Sequence, residues 1–474
     1  MNTRRATMLA LIAPMAMAAC VHQINDNQFQ HALTLQWDGE PYCGLEPHPQ
    51  AKSIPDDGLT NFSVQIDEIA ARIKDEKPER VLVFIHGGLN TIGKALARTN
   101  DVTKACAVWN AKPENRGDTV YPIFINWHSG FVTYWDRLAR IREGRAAHGL
   151  WTAITWPFIL VADFGRALAR LPATTVTETR KSITNSPLLR SVMPAPADWP
   201  ASSIAIDNRY ERNLGTSIVD GLTQIVPGVL RPATMLLSDA LLYDSYRMML
   251  RRMDMMFHTE ADFARASTES GEHPASGAVS LLMNRLQELQ AGKEFQGKIT
   301  LMGHSLGTIA INEILRRNPQ LPVNDIVYMA AACTARDFAD TVPPYLQEHT
   351  ETKFYSLCLH PFAETNEASA FSALPRGSLL DWLDSYALIV NTPFDLTFGK
   401  WNNSMHILPL IGLADTVRER IHIKGFPVSG TEYPVKHGEF DDFLFWDRDF
   451  WDPAFRTGVG HHADLLKSPS QATR

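Results

Sequence analysis

The chain has 474 residues, 45% hydrophobic and 20% charged, which supplies material for a large core and excludes a disordered polymer. Its formal charge is −7 and it has no long run of Lys or Arg, so the electrostatic footprint of a nucleic-acid partner is missing. One enlarged domain or two domains both fit this length.

The N-terminal stretch "MNTRRATMLALIAPMAMAAC" has basic Arg4 and Arg5, an apolar run from Met8, and small Ala18 and Ala19 before Cys20, the layout of a secretory signal. It resembles the lipobox of bacterial lipoproteins, with Met17 where Leu is commonest. The resemblance implies loss of residues 1–19, a lipid on Cys20, and a membrane partner reached through that anchor. Val21 follows in place of the Asp of an inner-membrane retention signal, so the expected location is the bacterial cell envelope, at the outer membrane, facing the periplasm or the exterior. Losing Arg4 and Arg5 takes the charge from −7 to −9, so attachment to an anionic surface would depend on the lipid. An oxidising compartment permits disulfides among Cys43, Cys106, Cys333 and Cys358, and the sequence does not fix a pairing.

Further along, short apolar runs alternate with helical patterns. The runs are "VLVFIHGG" (81–88), "VYPIFINWHSG" (120–130), "KITLMGHS" (298–305), "DIVYMAAA" (325–332), "KFYSLCLHP" (353–361) and "RIHIKGFPV" (420–428). Runs without strict alternation are buried on both faces, as in parallel strands covered by helices, so the pattern predicts a doubly wound, mostly parallel α/β sheet. Between Trp127 and Lys298 lies far more chain than a crossover helix needs, and this predicts an insertion. It contains "HGLWTAITWPFILVADFGRAL" (148–168), with Pro157 in the middle and a length that favours a buried or interfacial helix, and the Met-rich "TMLLSDALLYDSYRMMLRRMDMMF" (234–257). Core packing and a lid or membrane-facing cap are both open for these two segments. As a lid, Trp151, Trp156, Phe158 and the methionines would suit acyl chains.

The run 298–302 enters a helical pattern through Gly303-His304-Ser305-Leu306-Gly307. Gly-x-Ser-x-Gly between strand and helix puts serine on a strained elbow, where a Cβ at either glycine would meet neighbouring backbone. A hydroxyl projecting there beside a helix N-terminus is suited to attack a carbonyl, with the oxyanion held by backbone N–H groups.

With this elbow and "FIHGGLN" (84–90), the chain resembles the α/β-hydrolase superfamily, in particular its bacterial lipase and esterase-like members. The resemblance implies an α/β-hydrolase sheet with a large helical cap between the fourth and fifth core strands. The implied organisation is a signal peptide 1–19, an N-terminal segment 20–60, core halves 61–135 and 276–474, and a cap or lid 136–275. It implies Ser305 as nucleophile, an oxyanion hole from the N–H groups of Gly88 and Leu306, His86 as a brace, and no cofactor or metal. The family order of nucleophile, acid, histidine makes His437 the base, on a loop after the last strand and before an aromatic-rich helix, in preference to His422, His461 and His462. The acid is expected at Glu364, with Glu367, Asp337, Asp381 and Asp384 as competitors, because the common Gly-x-x-Asp arrangement is missing.

The implied activity is serine hydrolysis of carboxylic esters, lipid-like or of medium acyl length, through an acyl-enzyme on Ser305. Thioester and amide hydrolysis share this machinery. The sequence has no His-Glu-x-x-His or Cys-x-x-Cys pairing for a metal. The reading from a different class is a lipid-anchored binding or scaffold protein on the same fold.

Overall fold

The computed structural model describes residues 24–37, 39, 41–42, 59–130, 138, 141–142, 145–146, 150–184, 192–207, 232–259, 262, 276–367, 377–455 and 458–467. The signal-like segment, Cys20 and Cys43 lie outside the described residues. Strands β1 (Ala32–Thr34), β2 (Arg80–Ile85), β3 (Val120–Asn126), β6 (Ile204–Ile206), β7 (Lys298–His304), β8 (Asp325–Met329), β9 (Lys353–Cys358) and β10 (Ile421–Gly425) form one sheet, in the order β1-β3-β2-β7-β8-β9-β10-β6. Each neighbouring pair in it is parallel. The short β4 (Ile141–Arg142) and β5 (Arg145–Ala146) pair separately and antiparallel.

The α/β class follows from the composition of the central strands. Every residue of β2 (RVLVFI), β3 (VYPIFIN) and β8 (DIVYM) is buried, so both faces are covered. Helices α1 (Asp26–His31), α2 (Leu59–Glu76), α3 (Ile92–Asn110), α4 (Leu150–Thr184), α5 (Pro232–Asp254), α6 (Ala278–Ala291) and α7 (Gly307–Arg317) supply the longer covering elements. Helix α3 packs on β3, while α2 and α7 both pack on α6. The chain moves one way along the sheet from β2 to β3 and the other way from β7 to β8. Right-handed crossovers therefore put α3 and α7 on opposite faces.

Buried Arg80 ties down the N-terminal end of β2. Its guanidinium pairs with Asp118 at 2.9 Å, donates to the Trp446 carbonyl at 2.7 Å, and lies over the Trp451 ring. Arg448 pairs with Asp325 at the start of β8, so the C-terminal segment is clamped to this end of the sheet.

Residues 136–275 differ from an all-helical insertion. They supply α4 and α5, but also β6, which extends the sheet beside β10. Helix α4 runs through Pro157 and Pro172 and is much longer than the apolar segment 148–168 suggests. Among the described residues no helix is long and apolar enough to cross a membrane. Helix α5 matches the Met-rich segment and packs on α4, where Arg166 pairs with Asp239 at 2.9 Å and with Asp244 at 2.7 Å. Cys106, Cys333 and Cys358 are free buried thiols.

The crossing of α7 over β2 tolerates no side chain. A Cβ on Gly307 would stand 2.1 Å from the Ile85 carbonyl oxygen, whereas one on Gly117 would meet nothing. Gly307→Ala is expected to cost on the order of 3 kcal/mol or more, or to abolish folding, and Gly117→Ala to stay within about 1 kcal/mol of wild type. Urea unfolding of the two variants checks this.

Candidate functional site

The sheet reverses its winding between β2 and β7, and in open α/β sheets such a switch point leaves a crevice at the carboxyl ends of the strands. Two turns meet there. One follows β2 through His86-Gly87-Gly88, and the other follows β7 through Ser305 into α7.

Ser305 has φ +53°, in the left-handed region where a residue with a Cβ is strained. Several bonds hold it there. Its N–H donates to the Met329 carbonyl at 2.8 Å, and its own carbonyl accepts from Ala332 N–H at 3.1 Å and from Thr308 Oγ1 at 2.7 Å. The flanking glycines permit the turn, because a Cβ on Gly303 would stand 2.7 Å from the Gly307 carbonyl carbon. The Ser305 side chain is 1% exposed, and its Oγ makes no hydrogen bond within the protein.

The turn after β2 lies against this serine. A Cβ on Gly87 would stand 2.7 Å from Ser305 Cβ and 3.4 Å from its Oγ, and one on Gly88 would stand 2.6 Å from Leu306 Cδ1. The two positions named for the oxyanion hole are thus neighbours. Leu306 caps α7, where the first N–H groups of a helix have no intrahelical partner. His86 braces the turn. Its Nε2 accepts from Trp127 N–H at 3.1 Å, which leaves Nδ1 to donate to the Gly87 carbonyl at 2.8 Å, and its ring stacks on Trp127. Burial drives its pKa down to about 3, so it is a neutral structural ring. Ser129 Oγ and Asn90 Nδ2 also donate to the Gly87 carbonyl.

His437 opens a 3₁₀ turn (His437–Asp442) where the sequence suggested a loop before a helix. Its carbonyl accepts from His304 Nε2 at 2.8 Å, and the two rings lie 5.3 Å apart. The residue preceding the elbow serine therefore pins the histidine-bearing segment over the elbow. Both ring nitrogens of His437 are buried without a hydrogen bond inside the protein. Burial, and then the neighbouring His304, hold its pKa well below the usual histidine value, so at neutral pH the ring is uncharged and able to accept a proton.

The candidate acids are dispersed. Glu367 is the one bonded to His437: its Oε2 accepts from the His437 backbone N–H at 2.9 Å. Glu364 instead bonds Ser378 Oγ, and its other carboxyl oxygen is buried without a partner. Burial, followed by the nearby Asp381, lifts its pKa from 4.5 to about 8, which leaves it protonated at neutral pH. Asp337 pairs with Arg316 at 2.6 Å and accepts from Asn312. Asp381 and Asp384 share Lys400, at 2.6 and 3.2 Å. No carboxylate among the described residues is hydrogen-bonded to the His437 ring. Of the other histidines, His422 stacks on Tyr355 within the sheet, and His461 bonds the Thr431 carbonyl near the surface.

Two contributors escaped the sequence reading, His304 and Asp441, whereas Met249 belongs to the Met-rich segment considered as a lid. His304 occupies a variable position of the elbow motif, and nothing local marks it as a brace for residue 437. Asp441 pairs with Arg98 at 2.6 Å and lies close enough to His304 to act on its charge. Met249 of α5 covers the site: its Sδ would stand 3.1 Å from a Cβ on Gly88. Trp156 and Phe158, considered for an acyl pocket, are exposed on the outer side of α4. Among the described residues no cluster of three or more His, Cys, Asp or Glu could hold a metal.

No protein-family profile, curated protein or solved structure matches the chain.

The protonated state of Glu364 has a pH signature. A carboxyl whose pKa is raised on folding stabilises the fold below its unfolded value of about 4.5, and that contribution is lost as pH rises through its folded value of about 8. Wild-type stability should therefore fall between these limits, with a slope of at most about 1.4 kcal/mol per pH unit from this group. Glu364→Gln should flatten that decline, as read by urea midpoints across the window.

Proposed function

We propose that the protein is a serine hydrolase of the α/β-hydrolase type, cleaving carboxylic esters through an acyl-enzyme on Ser305. The observation that carries this reading is the strained elbow serine, its hydroxyl unpartnered, at the sheet's switch point beside a histidine kept neutral by burial. Strain and an unpaired buried hydroxyl both cost stability, and neither is needed to start a helix. The parallel sheet and the contact of the glycine turn with the elbow support the hydrolase type.

In the proposed reaction Ser305 Oγ attacks the ester carbonyl carbon while His437 takes the hydroxyl proton. The oxyanion is held by the N–H groups of Gly88 and Leu306. Collapse breaks the bond to the alcohol oxygen, which leaves with the proton from His437. Water, deprotonated by His437, then attacks the acyl carbon and restores Ser305. Of the acids considered, Glu367 fits the orienting role better than Glu364. It already bonds the His437 backbone, while Glu364 is protonated and engaged with Ser378.

Residues 136–275 act in this reading as a cap, because Met249 on α5 packs against Gly88. With Ser305 1% exposed, substrate entry requires the cover over it to move. The apolar cover favours lipid-like or medium acyl esters, and a thioester or amide would use the same groups. The Cys20 motif supports a lipid-anchored protein of the bacterial outer membrane. The closed site also favours a second reading, a non-catalytic lipid-anchored scaffold.

A fluorophosphonate probe separates the two readings. The wild type is expected to be labelled at Ser305, and Ser305→Ala to lose all labelling. No labelling of wild type, in the presence or absence of detergent, would favour the scaffold. With an ester substrate, Glu367→Gln should lower kcat by two or more orders of magnitude with little change in KM, and Glu364→Gln should lower it less. The reverse order would return the acid to Glu364.

A further inference from the structure

Helix α4 presents the wrong face to water. Surface helices turn polar residues outward and bury an apolar stripe. Between residues 154 and 176 of α4, every exposed residue is apolar: Ile154, Trp156, Phe158, Val161, Leu168 and Val176, with proline, alanine and glycine between them. Four of the large residues are more than half exposed, Phe158 at 73%, Val161 at 71%, Val176 at 68% and Leu168 at 60%. The polar side chains point the other way. Asp163 and Thr174 are buried, Arg166 is taken up by Asp239 and Asp244, and Arg170 lies 3.5 Å from Asp239. Both guanidinium groups stack on the Tyr243 ring of α5. The result is an uncharged apolar strip about 33 Å long at the helical rise of 1.5 Å per residue. Contiguous exposed strips of this kind mark interaction surfaces.

We propose that this outer face of α4 seats on a lipid bilayer, with the helix lying along the surface and Phe158, Val161 and Leu168 in the boundary between headgroups and acyl chains. The inference rests on the proposed Cys20 anchor for where such a surface is met. The occupant itself is argued from the face. Apart from the Trp156 indole N–H, it exposes no hydrogen-bonding side chain and no charge, groups that a bilayer interior does not require and the polar rim of a protein interface does. The 4-3 spacing of residues 154, 158, 161, 165, 168 and 172 could be taken for the seam of a second copy. That seam has Pro172 and Gly165 within it, Pro157 beside it, and no exposed charge along its flanks to set a register. Because Arg166 and Arg170 are consumed in ion pairs, docking draws on apolar contact and not on anionic lipid.

The test uses the purified full chain with phosphatidylcholine vesicles whose acyl chains carry a diazirine. After irradiation, lipid adducts are mapped by mass spectrometry of peptides. Adducts are expected on the 154–168 region, equal at low and high salt, and reduced on the order of tenfold or more in a Phe158→Asp/Leu168→Asp variant. Both positions are exposed, so the variant should keep the wild-type unfolding midpoint, which is measured alongside. No adducts on α4, or equal adducts in the variant, would overturn the proposal. So would a lipid-free wild-type dimer that the variant converts to a monomer, which would make a second copy the occupant. The map needs neither Ser305 chemistry nor a modified Cys20. Ser305→Ala should give the same adducts, so failure of the hydrolase or anchor reading is distinguishable from failure of this one.

Discussion

The arrangement of the carboxyl ends of the strands depends on one steric constraint, the contact of α7 with the end of β2. The backbone of Gly307 sits where a single added carbon would overlap the Ile85 carbonyl oxygen. That closeness lets β7 run beside β2 and still turn at once into a helix. It forces Ser305 into a left-handed conformation and brings the turn of Gly87 and Gly88 against it. Interiors this closely packed transmit displacement instead of absorbing it, so the geometry around Ser305 is a property of the whole β2–β7 junction.

Around that junction the protein gathers three imidazoles, His86, His304 and His437, and in each burial lowers the proton affinity. Two are engaged in fixing backbone: His86 holds the glycine turn and His304 holds the carbonyl of residue 437. The third has no bond to its ring. Asp441 remains charged in the same region because Arg98 offsets its burial, which gives His304 a nearby counter-charge without placing a carboxylate on the His437 ring. The division is between histidines that support and one that is left available, and sequence position alone does not express it.

How much was legible follows from the range of the forces involved. The strands at 80–85, 120–126, 298–304, 325–329, 353–358 and 421–425 announce themselves because strands buried over most of both faces need apolar runs without strict alternation. The elbow announces itself because its glycines are a local steric requirement. Strands β1 and β6 have three residues each and carry no such signal; they exist through pairing with β3 and β10. Which glutamate meets His437 depends on the turn after Pro361–Asn366, where Glu364 points back to Ser378 and Glu367 reaches the partner segment. The orientation of α4 was equally hidden. Its apolar periodicity is plain, but which side faces inward is decided by Asp239 and Asp244, some seventy residues further along the chain.

Strand β6 carries a consequence for the order in which the protein can assemble. Among the described residues it pairs only with β10, in register from Ile204 opposite Ile423 to Ile206 opposite Gly425. During synthesis it emerges more than two hundred residues before its partner exists. At ordinary elongation rates of about 5–20 residues per second that is a wait of roughly 10–40 s. Throughout that interval β6 lacks its partner strand, and the apolar strip of α4 is presented by a half-made chain. Long-range parallel pairing is slow to form even once both strands are present. The last β-strand made among the described residues is therefore the one that joins β6 to the sheet, so a chain truncated before residue 421 would leave β6 unpaired.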